Sequence, residues 1–376
     1  MKLAIQASDL DHARIDGTRV YVRELLRRFG PLSPETEFLL YHRGTFNPAL
    51  TPPKFLNYAE RVRPFPYAWM QTRFSWEMFR HQPDRLFLPI QAAPVFLPDG
   101  IDVTATIHDL AFRRYPETFP ASHLRKLNFM LDTVVRQADR LIAVSASTKR
   151  DLLEFFPTID DKKITVIHHG FDSDFFGFRL SPDKLSERLE HYQIAPSTYA
   201  LYVGALQPRK NLVRLIHAFE RVKRTNPEMR LVLSGERAWL SDGILAAREK
   251  SAYKEDIILT GRVDFDDLRA LYQGARLFTF PSLYEGFGLP LLEAFASGVP
   301  VLTADNSSLR EVAGEGALYV DAEDETDIAE KFERLWWDET TRTVLREKSE
   351  RELSRFSWDK TACETLTTIV QGANVR

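Results

Sequence analysis

Two carboxylates flank a glycine-containing loop in the second half of the chain, Glu285 at its start and Glu293 eight positions later. The loop contains Gly286 and Gly288, follows a short apolar segment and precedes a helix-like run. Free N–H groups and the helix dipole both favour a phosphate at such a junction, and glycine allows close approach of the backbone. The spacing therefore predicts a sugar-nucleotide site, with phosphates on the N–H groups and hydroxyls on the glutamates. The alternative is an ordinary strand–loop–helix unit with an exposed glutamate and a tight turn.

The elements that position this loop can be assigned from the same stretch. Residues 276–280 are predicted to form a strand, and 299–303 begin the next one. Pro290 suits the first turn of the intervening helix, where its missing N–H costs nothing. Gly298 is predicted to end that helix.

Composition limits the class of protein. The chain has 376 residues, which predicts two domains of about 100–200 residues each. Hydrophobic residues make up 44% and charged residues 27%, as in soluble globular proteins. The net charge of −3 gives no reason to expect a nucleic-acid partner. Cys363 is the only cysteine in the sequence, which excludes an internal disulfide and a cysteine-cluster metal site.

The first residues and the hydropathy predict the compartment. The N-terminus runs directly into a strand and becomes polar too quickly for a signal peptide. No apolar run approaches the roughly 18 residues of a membrane span. We therefore expect a cytoplasmic enzyme.

Alternating strands and helices predict an α/β fold of two doubly wound halves. Gly17 lies in the polar loop predicted between the first strand and the first helix, where the residues alone indicate a simple turn. Residues 173–196 read as a link between the halves. The strands of the first half are predicted at 2–7, 37–42, 84–89, 103–107, 140–145 and 163–168, and those of the second half at 199–203, 230–234, 257–260, 276–280, 299–303 and 317–320. The helices are predicted at 20–29, 124–138, 212–222, 266–272, 324–337 and 339–354.

Arginine and aromatic residues alternate between residues 61 and 88. Such a surface could contact an anionic membrane or a lipid-linked acceptor. The favoured interpretation is a helix with an aromatic core face and a solvated basic face.

Three sequence runs resemble one family. E-G-F-G-L-P-x-x-E-A followed by G-x-P-V, at 285–301, resembles the retaining glycosyltransferases of family 4. T-I-H-D-L at 106–110 and V-G-A-L-Q-P-R-K-N at 203–211 extend the likeness and are most similar to its mannosyltransferase branch. The resemblance implies the GT-B fold, in which two Rossmann-like domains face each other across a cleft and a C-terminal helix crosses back to the first domain. The implied division is an acceptor-binding domain at 1–175, a donor-binding domain at 176–355 and the returning helix at 356–376.

The resemblance also implies the site residues. His108 and Glu285 are the catalytic candidates, Glu293 contacts the ribose, and Arg209 and Lys210 neutralise the leaving diphosphate without a metal. The further donor-binding candidates are Gly17, Gly204, Gly261, Arg262, Val263, Gly286, Phe287, Gly288 and Leu289. Two positions depart from the family pattern: His169 replaces an asparagine, and Ala205 stands where many members have arginine.

The implied activity is retaining transfer of a hexosyl group to a hydroxyl of a glycan or lipid-linked acceptor, with GDP-mannose as the favoured donor and no metal or other cofactor. A UDP-sugar donor and a two-lobed sugar-binding protein without catalysis remain alternatives. A metal-dependent transferase would need an Asp-x-Asp after an apolar strand, and Asp9-Leu10-Asp11, Asp172-Ser173-Asp174 and Asp264-Phe265-Asp266 lack that context. A nicotinamide enzyme would need a third glycine where Leu291 stands.

Overall fold

The computed structural model describes residues 1–371, which form two compact units. The first unit comprises Met1–Leu110, Ser122–Gly170 and the described residues from Phe356 on. The second comprises Ala111–Ala121 and Phe171–Arg355. The assignment of acceptor and donor binding to separate domains stays a prediction.

Thirteen strands are found within residues 1–371. They are β1 Lys2–Gln6, β2 Glu37–His42, β3 Tyr58–Val62, β4 Arg85–Leu88, β5 Asp102–Ile107, β6 Arg140–Ala143, β7 Ile164–Val166, β8 Tyr199–Val203, β9 Arg230–Ser234, β10 Ile257–Gly261, β11 Leu277–Phe280, β12 Val301–Ala304 and β13 Ala317–Val320.

The α-helices of the described chain alternate with these strands. They are α1 Gly17–Leu32, α2 Ser75–His81, α3 Ala111–Arg114, α4 Ala121–Gln137, α5 Ala146–Phe155, α6 Ser173–Gly177, α7 Pro182–Glu190, α8 Leu212–Lys223, α9 Asp242–Lys250, α10 Phe265–Gly274, α11 Leu289–Ala296, α12 Leu309–Ala313, α13 Glu325–Trp337, α14 Glu339–Leu353 and α15 Trp358–Val370.

Each unit is built on one parallel sheet. The first sheet has the order β3-β2-β1-β4-β5-β6-β7 and the second the order β10-β9-β8-β11-β12-β13. In the second sheet Tyr199 pairs with Arg230, and Ala200 pairs with Leu277. Helices cover parallel sheets on both faces, so the central strands are mostly apolar, and β11 and β12 are buried at every position. The predicted α/β fold is confirmed.

The C-terminal helix α15 packs on the first unit, as the fold prediction requires. Arg28 Nε donates to Asp359 at 2.5 Å, and Arg85 Nη1 donates to the carbonyl of Ile369 at 2.6 Å. Gly170 leaves the space for the start of this helix, because a Cβ there would lie 2.1 Å from the backbone nitrogen of Trp358. Residues 372–376 of the predicted 356–376 segment lie outside the described residues.

Two predictions about local structure were wrong. Residues 173–196 contain the helices α6 and α7 rather than a plain link, because Asp172 and Ser181 cap them by accepting backbone N–H groups. Gly17 is not in a loop but is the first residue of α1, where Asp16 accepts the N–H of Arg19.

The arginine- and aromatic-rich segment forms less helix than predicted. It begins with the end of β3, and a π-helical turn, Met70–Phe74, leads into α2. Trp69 and Phe74 are buried, whereas Tyr67, Trp76 and Phe79 are exposed. The aromatic residues therefore do not all lie on one core face. Within residues 1–371, no helix combines the length and the apolar character needed to cross a bilayer.

Candidate functional site

The candidate site lies at the carboxyl ends of β8 and β11, which are neighbours in the second sheet. The chain leaves β8 toward β9 on one side and later returns on the other side at β11. Ligands bind at such topological switch points in open α/β sheets, because the loops diverge there. The two loops, 204–211 after β8 and 281–288 after β11, carry half of the residues predicted for the donor, together with Glu285.

Glu285 joins these two loops through an ion-pair cluster. Lys210 Nζ lies 2.5 Å from Glu285 Oε1, and Arg209 Nη1 lies 3.0 Å from Glu285 Oε2. All three side chains are at most one-tenth exposed. Arg209 also donates to the carbonyl of Tyr284. The structure therefore brings Glu285 to Arg209 and Lys210, from which it is separated by 76 and 75 positions in the sequence.

The two cations set the ionisation of Glu285. Burial alone would raise its pKa, but the charges of Lys210 and Arg209, with the hydrogen bond from Lys210, lower the pKa to about 2. The carboxylate is therefore ionised at neutral pH, and the cluster carries one net positive charge. A net positive charge in a buried site favours an anionic ligand.

Serine side chains fix the loop that carries Glu285. The Glu285 N–H donates to Ser307 Oγ at 3.0 Å. Ser308 Oγ lies 2.9 Å from the carbonyl of Glu285 and 2.8 Å from that of Phe287. The Leu283 N–H donates to the carbonyl of Arg209 at 2.9 Å, so the loops after β8 and β11 also share a backbone hydrogen bond.

Gly288 precedes α11 in the left-handed conformation, with φ of +108°. No side chain in the described structure caps this helix start, and Pro290 lies in its first turn as predicted. Gly286, Phe287 and Gly288 are buried, and Leu289 is half-buried. The start of α11 thus directs backbone dipoles toward the end of the sheet at which Lys210 and Arg209 lie.

Glu293 lies one turn into α11 and is paired with Tyr272. The Tyr272 hydroxyl donates to Glu293 Oε2 at 2.8 Å. Burial raises the pKa of Glu293 to about 7, although the hydrogen bond from Tyr272 opposes this rise. The two glutamates of the motif therefore ionise in different pH ranges. Two cations contact Glu285, whereas burial dominates at Glu293, whose contacts within residues 1–371 include no cation.

The remaining candidates of the second unit follow β8 and β10. Gly204 and Gly261 have φ of +150° and +66°. A Cβ on the intervening Gly235 would lie 2.0 Å from the carbonyl oxygen of Gly204, so these turns pack backbone against backbone. Arg262 Nη1 lies 3.5 Å from Glu236 Oε1, and Val263 is half-buried beside it. Arg262 is thus an exposed cation directly after β10.

His108 lies in the first unit at the carboxyl end of β5. Its Nε2 is 2.8 Å from the carbonyl of Pro89, so Nε2 carries the proton and donates. Burial lowers the pKa of His108, and the Pro89 contact opposes this. The imidazole is therefore neutral at neutral pH, with Tyr21 edge-on at 5.2 Å between ring centroids.

His169, where the family pattern has asparagine, packs into the same aromatic group. Its ring centroid lies 5.5 Å from that of His108, 4.7 Å from Tyr21 and 5.8 Å from Trp358. Burial lowers the pKa of His169 well below its usual value. The substitution thus places a second neutral imidazole beside His108, within the first unit.

Sequence reasoning did not single out Asn211, Tyr272, Ser307 or Ser308. Asn211 adopts a left-handed conformation with φ of +61°, and its Nδ2 donates to the carbonyls of Pro281 at 3.0 Å and Ala322 at 2.6 Å. Asparagine tolerates that conformation, so the R-K-N run contained a signal. Nothing in the sequence marked Tyr272, which is separated from Glu293 by 21 positions.

Comparison with known proteins identifies the family of the chain. The model of the glycosyl transferases group 1 matches residues 188–352, and that of glycosyltransferase family 4 matches residues 15–175. The chain is 31% identical to O-antigen chain mannosyltransferase B of Escherichia coli over 72% of this chain and 71% of that protein. It is 30% identical to O-antigen chain mannosyltransferase RfbU of Salmonella typhimurium over 60% of this chain and 57% of that one.

The fold is shared with solved glycosyltransferases. HepE from Anabaena, in a structure with UDP-glucose, superimposes with a TM-score of 0.75 at 17% identity, covering 98% of this chain and all of HepE. Fold and motif together define a glycosyltransferase of two Rossmann-like domains. The chain belongs to glycosyltransferase family 4.

Proposed function

We propose that this enzyme transfers a mannosyl group from GDP-mannose to a hydroxyl of a growing glycan, with retention of the anomeric configuration. The bond between C1 of the sugar and the diphosphate oxygen breaks, and the diphosphate leaves with the electron pair. A bond from the acceptor oxygen to C1 forms on the same face, and the acceptor proton is released.

The observation that carries this proposal is the buried cluster of Arg209, Lys210 and Glu285 beside the start of α11. A departing nucleoside diphosphate needs compensating positive charge at the bond that breaks. Lys210 and Arg209 can supply it from fixed positions, because Glu285 and backbone carbonyls already hold them. The electrostatic stabilisation then costs no rearrangement during the reaction.

The other residues are assigned supporting roles. Glu285 positions the donor sugar, and Glu293 accepts hydrogen bonds from the ribose. Gly286, Phe287, Gly288 and Leu289 offer backbone to the phosphates, and Arg262 with Gly261 and Val263 meets the base. His108 in the first unit is the candidate for the reacting face of the sugar.

GDP-mannose is favoured because both bacterial relatives reported above are named as mannosyltransferases. HepE, solved with UDP-glucose, keeps a UDP-sugar as the second candidate donor. We also propose that no metal is needed, because Lys210 and Arg209 already supply the positive charge. Activity that is lost with EDTA and restored by a divalent ion would contradict that part.

A surface of the first unit supports a further partner, an anionic membrane that carries the acceptor. Arg73 and Arg80 lie 4.9 and 5.1 Å from the ring centroid of Trp76, which is 46% exposed. Tyr67 and Phe79 are also exposed nearby in sequence. Guanidinium groups attract anionic headgroups, and aromatic rings insert at the interface.

A substitution at Lys210 tests the proposed function. Lys210→Ala is expected to lower kcat for mannosyl transfer about 100–1,000-fold, since it removes one of the two charges at the leaving group. Lys250→Ala, which changes an exposed lysine on α9, is the matched control and should leave the rate unchanged. Transfer from GDP-mannose would be followed by release of GDP.

A thermal-shift comparison of GDP, UDP and their mannose and glucose derivatives tests which donor binds. A ligand that binds the native state raises the melting temperature. Full activity of Lys210→Ala would end the proposal. A larger shift with UDP-glucose than with GDP-mannose would replace the donor while keeping the class of reaction.

A further inference from the structure

The second unit contains a cavity of about 740 Å³ at the carboxyl ends of β12 and β13. Leu283, from the loop that carries Glu285, forms part of its wall, and Asn306 lies beside it. Asn306 Nδ2 donates to the carbonyl of Ser282 at 3.1 Å, so the cavity adjoins the loop after β11. Its volume falls within the range of ligand sites, roughly 300–1,000 Å³.

The charges around this cavity differ from those of the donor site. Of the described residues, neither Arg209 nor Lys210 lines it. Its lining contains five carboxylates and two cations, namely Asp305, Asp321, Glu323, Asp324, Asp327, Arg310 and Lys331. An anionic ligand such as a nucleoside diphosphate would meet excess negative charge there. The lining therefore selects against a second nucleotide.

Ion pairs hold the polar groups of the cavity in place. Arg310 Nη2 lies 2.5 Å from Asp305 Oδ2, and Lys331 Nζ lies 2.8 Å from Asp327 Oδ1. An ionised carboxylate accepts about four hydrogen bonds, so each of these carboxylates keeps acceptor capacity for hydroxyl groups. The cations also neutralise part of the negative charge, which weakens the attraction for a cationic ligand.

Aromatic and planar groups complete the lining. The Arg310 guanidinium lies 4.1 Å from the ring centroid of Tyr319. Tyr115 contributes a second ring to the cavity wall. Flat rings pack against the C–H face of a sugar, while carboxylates and guanidinium groups bind its hydroxyls. Both kinds of group are present within this one cavity.

We propose that this cavity binds a neutral hexose unit of the acceptor glycan. This inference rests on the proposed function, because it takes a glycan as the acceptor. It extends acceptor binding beyond residues 1–175, the part of the chain to which the family resemblance assigns the acceptor. The cavity holds a sugar of the acceptor chain without taking part in bond breaking. Its residues therefore affect the KM for the acceptor rather than the binding of the donor.

Calorimetric titration of the full chain with α-linked mannotriose tests this assignment. Arg310→Ala removes a side chain that is 57% exposed, so folding is expected to be unaffected. It should weaken mannotriose binding about tenfold and leave GDP binding unchanged. Arg334→Ala, at a residue with 61% exposure outside the cavity, is the matched control. Glu323→Gln should weaken binding about threefold, and Glu330→Gln should not.

The outcomes separate this inference from the proposed function. The cavity assignment is overturned if the parent protein does not bind mannotriose, or if Arg310→Ala binds it as tightly as the parent protein does. Either result would count against the cavity even if GDP-mannose proves to be a donor. Spermidine binding that strengthens in Arg310→Ala, with no sugar binding, overturns the ligand class. A third outcome is that mannotriose binding depends on Arg310 but GDP-mannose is not a donor. That result would leave the cavity assignment in place and contradict the proposed function alone.

Discussion

Glu285 has two effects at the scale of a single residue. Its carboxylate holds Lys210 and Arg209 in place, and it also lowers the net charge that the cluster offers to a diphosphate. Burial of one cation without a partner would be costly, so we expect the carboxylate to stabilise the fold in addition to its proposed role in positioning the sugar.

We expect Glu285→Gln to destabilise the protein because it leaves two buried cations without their carboxylate. The free energy of unfolding should fall by about 3–5 kcal/mol at pH 7. The pKa of Glu285 is lowered in the folded state to about 2 from its usual 4.5, so its contribution is present above pH 4.5 and is lost as the pH falls toward 2.

Urea unfolding at pH 7 and pH 3 measures this effect. The difference between the parent protein and Glu285→Gln should shrink at the lower pH. Glu330→Gln, at an exposed position on α13, serves as control. A difference that is the same at both pH values would mean that the ion pairs do not carry the stability.

Glu293 should make donor binding depend on pH. Its pKa is raised to about 7, and we assign the ionised form to ribose binding. The affinity for GDP-mannose should therefore rise between pH 6 and pH 8 in the parent protein and stay flat in Glu293→Gln. Calorimetric titration at several pH values measures this.

The same raised pKa also predicts a stability effect of opposite sign to that of Glu285. Ionising Glu293 costs stability as the pH rises from 4.5 through 7, so Glu293→Gln should gain in relative melting temperature over that range. The assignment of ionised Glu293 to ribose binding would be contradicted by one result. In that result, neither the donor affinity of the parent protein nor its stability relative to Glu293→Gln changes between pH 6 and pH 8.

At the scale of elements, the strong local signals were predictable. β8, β9 and β13 have the predicted bounds, and the long strand–loop–helix motif gave both the start of α11 and its end near Gly298. Segments with a strong hydrophobic pattern can be assigned from the sequence, because uninterrupted apolar runs fit the strands of a buried parallel sheet.

Other elements were missed because they depend on tertiary contacts. β3 is an edge strand whose mixed polarity gives no strand pattern, and it forms because it pairs with β2. Family likeness assigned Glu285, Arg209 and Lys210 to one site, but their ion pairs were not predicted, since the sequence does not show that β8 and β11 are neighbours. The hydrogen bond from Tyr272 to Glu293 was missed for the same reason, since it joins α10 to α11 and the sequence does not show that these helices meet at that point.

Gly288→Ala should disturb the loop before α11. Its φ of +108° is strained for alanine, and a Cβ would lie 3.2 Å from Leu309 Cδ2. We expect about 1–3 kcal/mol of destabilisation and weaker GDP-mannose binding, because the backbone that faces the phosphates shifts. Urea unfolding and calorimetric titration measure the two effects.

Gly243→Ala on α9 is the matched control. A Cβ there meets no atom within 4 Å, and alanine favours a helix, so its stability should rise by about 0.5–1 kcal/mol. If Gly288→Ala loses stability but binds GDP-mannose as tightly as the parent protein, Gly288 is not part of the phosphate site.

At the scale of the whole molecule, the proposed membrane partner would give the enzyme access to a lipid-linked acceptor. The candidate contact is the segment that exposes Tyr67, Trp76, Phe79 and Arg80, in which Arg73 is half-buried beside Trp76. Trp76→Ser together with Phe79→Ser should reduce co-sedimentation with phosphatidylglycerol vesicles at least fivefold, with GDP binding unchanged. Trp337→Ser, at an exposed tryptophan of the second unit, is the control. Equal sedimentation of all variants would remove this surface as a membrane contact.

A crystal structure of the enzyme with GDP-mannose tests the central claim most directly. The account predicts that the diphosphate contacts Lys210 Nζ, the Arg209 guanidinium and the backbone N–H groups between Gly286 and Leu289. A nucleotide whose phosphates lie beyond hydrogen-bonding distance of Lys210 and of the start of α11 would contradict it.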